Sequence, residues 1–302
     1  MSTTSKSPRK VLQVAYAVAR KALPAYSHRF SPKKFTQPQL FAVLVLKAFL
    51  KTDYRGVAAI LADSPSWCEA LGLTTVPHFT TIEKAEKRLL CSTRMAALLG
   101  ETIRLGVRSK LVPRRVRLAA VDGTGFESRR ISPYFVRRRQ RGENRWQTTT
   151  YTQFPKAGIL CDCRSHMVLA VVAERGPGSD LKHFRKTLKQ ALRSISIAVL
   201  LADAGYDSEA SHVYCREVCG VRSIIPPKIG RPTSKPPSGR WRRYLSQRWD
   251  KATYGQRWQV ETVNSMLKRL LDSALTARTY WSQCREISLR VITLNVMILL
   301  AA

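Results

Sequence analysis

For its size, this chain is poorest in acidic residues. Only 20 Asp and Glu stand against 52 Lys and Arg, a formal net charge of +32 over 302 residues. Such an excess excludes a self-balanced surface and calls for a polyanionic partner. Nucleic acid is the first candidate. An anionic membrane is the weaker second, because the cations are spread along the chain rather than set beside an apolar anchor. Long apolar runs are also missing: the stretch from Ile287 to Ala302 is short and broken by Arg290, which suits a packed helix and not a membrane span. No apolar core precedes Lys21 and Pro24, so a secretory signal is not expected. The seven cysteines are odd in number and scattered, which argues against a disulfide scaffold and fits a reducing cytoplasm. No His completes a zinc spacing with Cys161 and Cys163 or with Cys215 and Cys219, so these read as buried thiols. No internal repeat is evident.

What is present divides the chain in two. Residues 1–110 read as a small helical domain. Segments 10–24, 37–51, 54–62 and 80–99 carry apolar residues at three- and four-residue spacing. Pro65 after Ser64 marks a helix start, and Thr80-x-x-Glu83 predicts a capping box. The basic helix after Thr80, with Lys84, Lys87 and Arg88, suits either a DNA groove or a solvated face. From 111 to 302 the pattern becomes α/β. Strands are expected over 116–121, 151–163, 167–174, 197–202 and 221–225, and helices over 180–194 and 208–219, giving a mixed sheet with flanking helices. Two stretches, 127–147 and the Pro/Arg-rich 226–250, read as irregular. Their arginines and aromatics suit backbone contact and base stacking.

The most informative string is Tyr254-x2-Arg257-x3-Glu261-x6-Lys268. On a helix these four residues fall at about 0°, 300°, 340° and 320°, a wedge of about 60°. Val260, Val263, Met266, Leu267 and Leu270 take the opposite side. A carboxylate among cations, on the face away from a packing stripe, is what a metal-dependent enzyme acting on phosphates needs.

Asp122 and Asp203 each end an apolar strand and each have a glycine within two residues, where the chain can turn tightly beside a ligand. Either alone reads as a turn. With Glu261 they make three carboxylates in the order of a two-metal nuclease, since two divalent cations about 4 Å apart need that much negative charge to hold them. An all-oxygen set suits Mg²⁺, with Mn²⁺ as substitute. Arg257 can fork onto a phosphate, and Lys268 lies about 10 Å further along the helix, within reach of a neighbouring one. Tyr254 can hydrogen-bond a phosphate or orient the strand.

The Tyr-Arg-Glu-Lys string resembles the signature of a large group of DDE-class insertion-sequence transposases. Val121-Asp122-Gly123-Thr124 is similar to the first catalytic block of that family, and Leu201 to Asp207 to the second. Gly178-Ser179-Asp180, Tyr54-Arg55 and Val76 to Thr81 also look similar, in the expected order. The resemblance implies an RNase H-like core over 111–302 with Asp122, Asp203 and Glu261 as ligands of two metal ions, preceded by a DNA-binding or dimerisation domain over 1–110. It places Asp180 and Asp207 in supporting roles and carries Tyr254, Arg257 and Lys268 over as DNA-positioning groups. The implied partners are double-stranded DNA, at element ends and target, and a second copy of the chain on that DNA. The implied reaction is cleavage at the terminal inverted repeats and joining of the 3′-hydroxyl to target DNA. A nuclease of the same fold and a DNA-binding protein that has lost catalysis remain the alternatives. One departure stands out: Glu261 follows Asp203 by only 58 positions, without the β-rich insertion of some relatives. Hairpin formation at the element ends is therefore not implied, and Trp241 and Trp249 are the candidates there to stack on an extruded base.

Overall fold

The computed structural model describes residues 4–128, 136–140, 147–151, 154–227 and 236–301. Six helices come first: α1 (Pro8–Ala22), α2 (Gln37–Phe49), α3 (Tyr54–Ala62), α4 (Pro65–Leu71), α5 (Phe79–Leu89) and α6 (Ser92–Arg108). From Gln37 to Leu46 every residue of α2 is buried, so this helix is apolar all round and the others wrap it. Its start is a true capping box: Thr36 Oγ1 accepts from Gln39 N (3.3 Å), and Gln39 Oε1 accepts from Thr36 N (2.8 Å). The Gln39 amide also donates to the Leu71 and Gly72 carbonyls, both at 3.0 Å, satisfying the buried end of α4. Pro65 opens α4 as expected.

The box expected at Thr80 does not form. That helix starts two residues earlier, at Phe79 with His78 at the cap; Thr80 Oγ1 lies 2.8 Å from His78 Nδ1, and Glu83 pairs with Lys87 at 2.9 Å. The single helix expected over 80–99 breaks at Leu90 and Cys91 into α5 and α6. Periodicity continues across that break because both halves bury apolar residues, so pattern alone does not reveal it.

Next come β1 (Arg115–Gly125), β2 (Glu127–Ser128), β3 (Val136–Gln140), β4 (Gln147–Tyr151), β5 (Phe154–Asp162) and β6 (Val168–Gly176). They are followed by α7 (Leu181–Leu192), β7 (Ser196–Leu201), α8 (Glu209–Val213) and β8 (Arg222–Ile224). Five strands form one mixed sheet in the order β6-β5-β1-β7-β8. β5 runs antiparallel to both β1 and β6, while β1, β7 and β8 are parallel. Helices cover both faces. α7 sets His183 against Gly158 of β5 on one side, while α11 (Trp258–Leu271) and α12 (Tyr280–Leu299) pack on the other.

The two stretches read as irregular are partly regular. Within 127–147, β2 pairs with β9 (Ala274–Leu275), and β3 pairs antiparallel with β4. Arg137, Arg138 and Arg139 lie on β3, while Arg129, Arg130, Tyr134, Phe135, Arg141, Arg145 and Trp146 fall outside the described residues. Within 226–250, α9 (Arg240–Gln247) forms because a distant carboxylate caps it: Glu209 accepts from Trp241 N (2.9 Å) and Arg242 N (3.1 Å). Gly239 makes this possible. Its φ of 96° and its closeness to Glu209 exclude a side chain. The Arg242 guanidinium then forks onto buried Asp207 at 2.7 to 3.0 Å. Lys228, Arg231, Pro232 and Lys235 lie outside the described residues.

One buried core runs from the helices into the sheet. Buried Asn295 on α12 joins the two. Its amide nitrogen donates to Thr102 Oγ1 on α6 (3.0 Å) and to Val168 O (2.8 Å), and its oxygen accepts from Val168 N on β6 (2.8 Å). Ser5 N also donates to Met297 O at 3.0 Å. Cys161, Cys163 and Cys215 are buried free thiols, and burial pushes Cys163 up to about 12. Among the described residues no helix is long and apolar enough to cross a membrane.

Candidate active site

The sheet brings two of the expected carboxylates side by side. β1 and β7 pair in parallel as far as Ala120 and Leu201. Just beyond that pairing stand Asp122, still on β1, and Asp203, which caps a 3₁₀ turn over Ala204–Tyr206. β1 does not end at Asp122 as the sequence suggests. Its antiparallel partner β5 carries it on to Gly125, where the register pairs Gly125 with Lys156. Asp203 Oδ1 accepts from Gly205 N at 2.9 Å, and Asp122 Oδ2 accepts from the Asn264 amide at 3.0 Å. Burial pushes the Asp122 carboxyl up to about 6, and the charges of Asp203 and Asp180 add to this; the Gly123 N–H and Arg257 oppose it.

A third aspartate lies beneath this pair. Asp180, ahead of α7, forms a 2.6 Å ion pair with Lys156, whose ammonium also donates to Gly178 O at 3.1 Å. A Cβ at Gly123 would sit 2.3 Å from Asp180 Oδ1, and one at Gly205 would sit 3.4 Å from Asp180 Oδ2. Gly123 therefore makes room for this carboxylate, while a Cβ at Gly205 would meet it only in ordinary contact and would press instead on Asp203 Oδ1 at 3.0 Å. Below it, the fully buried His183 ring lies 2.9 Å from the Tyr206 hydroxyl and 3.5 Å from Glu174. Burial and then the three aspartates raise the Tyr206 phenol, keeping it neutral.

The Tyr254–Lys268 stretch is helical but not one continuous α-helix. α10 (Lys251–Tyr254) passes through a 3₁₀ turn at Gly255–Arg257 into α11, so Tyr254 is rotated from its ideal place on the wheel. The packing face is as expected: Val260, Val263, Met266 and Leu267 are buried, each such side chain contributing about 1.5–3 kcal/mol. Leu270 is half-buried. Glu261, 54% exposed, is ion-paired with Arg257 and not gathered with the aspartates. Tyr254 packs on Trp249 at 4.8 Å between ring centroids, and Lys268 lies over Phe126 at 5.7 Å. Trp241 is also engaged, donating to Glu217 at 2.7 Å with Arg216 over its ring.

Among the described residues, no three His, Cys, Asp or Glu side chains already converge on one point. The donors nevertheless fit a hard divalent cation. Asp122 and Asp203 present oxygens whose mutual repulsion a cation relieves. Asn264 is 8% exposed, lies one turn after Glu261 and already touches Asp122, so the face of α11 that carries Glu261 is turned to the site. Sequence reading missed Asn264, although it falls at about 280° on the same wheel, beside the expected wedge. Lys156 and His183 were also missed. Nothing in the local sequence marks them, because their partners come from other elements.

A five-stranded sheet in this order, with its second strand antiparallel and aspartates beside the ends of its central strands, defines the RNase H-like class of phosphoryl-transfer enzymes. Residues 115–296, more than half of the chain, match the family model described as "Transposase DDE domain", and the protein belongs to that family. Among solved structures it is similar to the Mos1 mariner paired end complex with Mn, at 12% identity over 89% of this chain and 78% of that one, with a TM-score of 0.25. It is also similar to a pre-cleavage Mos1 transpososome, at 13% identity over 89% and 80% with a TM-score of 0.24. No curated protein matches.

Proposed function

We propose that the protein is the DNA transposase of an insertion sequence, and that Asp122, Asp203 and Glu261 hold two Mg²⁺ ions, or Mn²⁺ in their place. The observation that carries this reading is the placement of Asp122 and Asp203 side by side just beyond the last β1–β7 pair, under the helix face that bears Glu261, in a chain of the DDE family. When bound, the ions activate a water or 3′-hydroxyl and stabilise the leaving 3′-oxygen. The protein's own groups position that chemistry. Asn264 fixes the Asp122 carboxylate, and the Gly205 N–H fixes Asp203. As Glu261 turns to join them it releases Arg257, whose freed guanidinium forks onto a DNA phosphate. Lys268, about 10 Å further along the helix, holds a second phosphate, and the Tyr254 hydroxyl orients the strand between them.

Residues 1–110 act as the DNA-binding or dimerisation domain, and residues 111–302 as the catalytic domain. Two copies hold the two inverted-repeat ends, cleave there and join the 3′-hydroxyls to target DNA. The test is Asp122→Ala on a duplex carrying one element end. Mg²⁺-dependent cleavage and joining should vanish, while DNA affinity stays equal or rises because a negative charge has gone. Cleavage that survives the substitution sinks the site assignment; cleavage without joined product in the wild type points to a nuclease.

A further inference from the structure

At the free edge of the sheet, β6 forms the floor of a groove of about 640 Å³ between α7 on one side and α5, α6 and α12 on the other. Five cations line it, Lys87, Lys186, Lys189, Arg193 and Arg285, and no acid does. Lys186, Lys189 and Arg193 are exposed, spaced i, i+3 and i+7 along one side of α7, which spans about 10 Å. The Nε of Arg285 is buried without a hydrogen-bond partner. Trp281, 71% exposed, stands at the rim beside Tyr280, whose ring carries the Arg175 guanidinium at 4.3 Å.

An edge strand usually invites another strand, but here the Val171 N–H is taken by the Gln190 side chain at 3.0 Å. The apolar floor and acid-free cationic wall instead match a polyanion with flat apolar faces. The register places this floor close to the carboxylates: Val171 pairs with Ile159, which pairs with Asp122, a separation of two strands or about 10 Å.

We propose that this groove is a second DNA track, holding a strand of the same DNA beyond the scissile phosphate. Phosphates lie along Lys186, Lys189 and Arg193, and a base stacks on Trp281. The proposal rests on the transposase reading for the identity of the polyanion.

The test compares the wild type with a Lys186→Ala/Lys189→Ala/Arg193→Ala variant and with a control that removes three exposed cations around the start of β1, at the end away from Asp122 (Arg114→Ala/Arg115→Ala/Arg117→Ala). Binding to a labelled duplex is measured by anisotropy across a salt series. The groove variant should lower the slope of log affinity against log salt by about 2.7 and the affinity at moderate salt by roughly 10²-fold, as expected for three lost phosphate contacts. The control should change both far less. A photo-crosslinking residue at position 281 should label the DNA. If the groove variant matches the control and position 281 captures no DNA, the track is overturned and an acidic protein segment becomes the better occupant. A wild type that binds no DNA refutes the transposase reading itself, and the track with it.

Discussion

Asp122→Asn is the most direct probe of the electrostatics at the aspartate pair. Burial raises the Asp122 carboxyl from 3.8 to about 6. A difference of about two units at 1.36 kcal/mol each is about 3 kcal/mol. Because the folded state holds this proton more tightly than the unfolded chain, the group costs nothing below about pH 3.8. Stability is lost as the pH rises through about 6, and above that the full cost of about 3 kcal/mol is present. Asparagine keeps the shape, cannot ionise, and its oxygen can accept the same bond from Asn264. In EDTA, the variant and the wild type should melt together near pH 4 and separate towards neutrality. With an unfolding entropy of about 0.6 kcal/mol/K for 302 residues, the gap should approach 5 °C at neutral pH. Excess Mn²⁺ should then raise the wild-type Tm and leave the variant unmoved. Melting curves recorded from acid to neutral pH decide the matter: parallel profiles for the two proteins would refute the burial argument.

Two further substitutions test the supports of the site. Lys156→Met leaves Asp180 unpaired beside Asp122 and should cost about 2 kcal/mol in urea unfolding, a value between exposed and fully buried pairs. Adding Asp180→Asn should recover most of that loss, and a double variant no more stable than the single one contradicts the pairing. Asn295→Ala removes three hydrogen bonds and strands both backbone groups of Val168, at a cost of about 3–5 kcal/mol. A denaturation midpoint that barely moves shows that the tie between α12 and β6 is dispensable.

The fold was legible wherever one segment's own periodicity or turn chemistry decides its conformation. The strands from β5 to β8, helix α7 and the buried stripe of α11 all read correctly from apolar spacing. Reading failed where a distant residue decides. Helix α9 depends on the Glu209 carboxylate, which no inspection of 226–250 reveals, and β1 continues past Asp122 because β5 pairs with it. At the candidate site, Asp122 and Asp203 stood out in the sequence as acids that close an apolar run and have a glycine within two residues. Their neighbours did not, since Asn264, Lys156 and His183 acquire their roles only when α11, β5 and α7 converge. Glu261 was placed on the right helix, but its ion pair with Arg257 depends on side-chain rotamers that spacing does not specify.

The tie at Asn295 has a consequence in time. Thr102 and Asn295 are 193 positions apart, and Ser5 is bonded to Met297 at the far end of the chain. At roughly 5–20 residues per second on the ribosome, roughly 10–40 s pass between synthesis of α6 and of its partner α12. Throughout that interval the apolar surfaces of the first six helices that α12 will cover stay open on the nascent chain. Those early helices acquire their final packing only once α12 has been made, so the helical half cannot finish folding ahead of the sheet and its last helix.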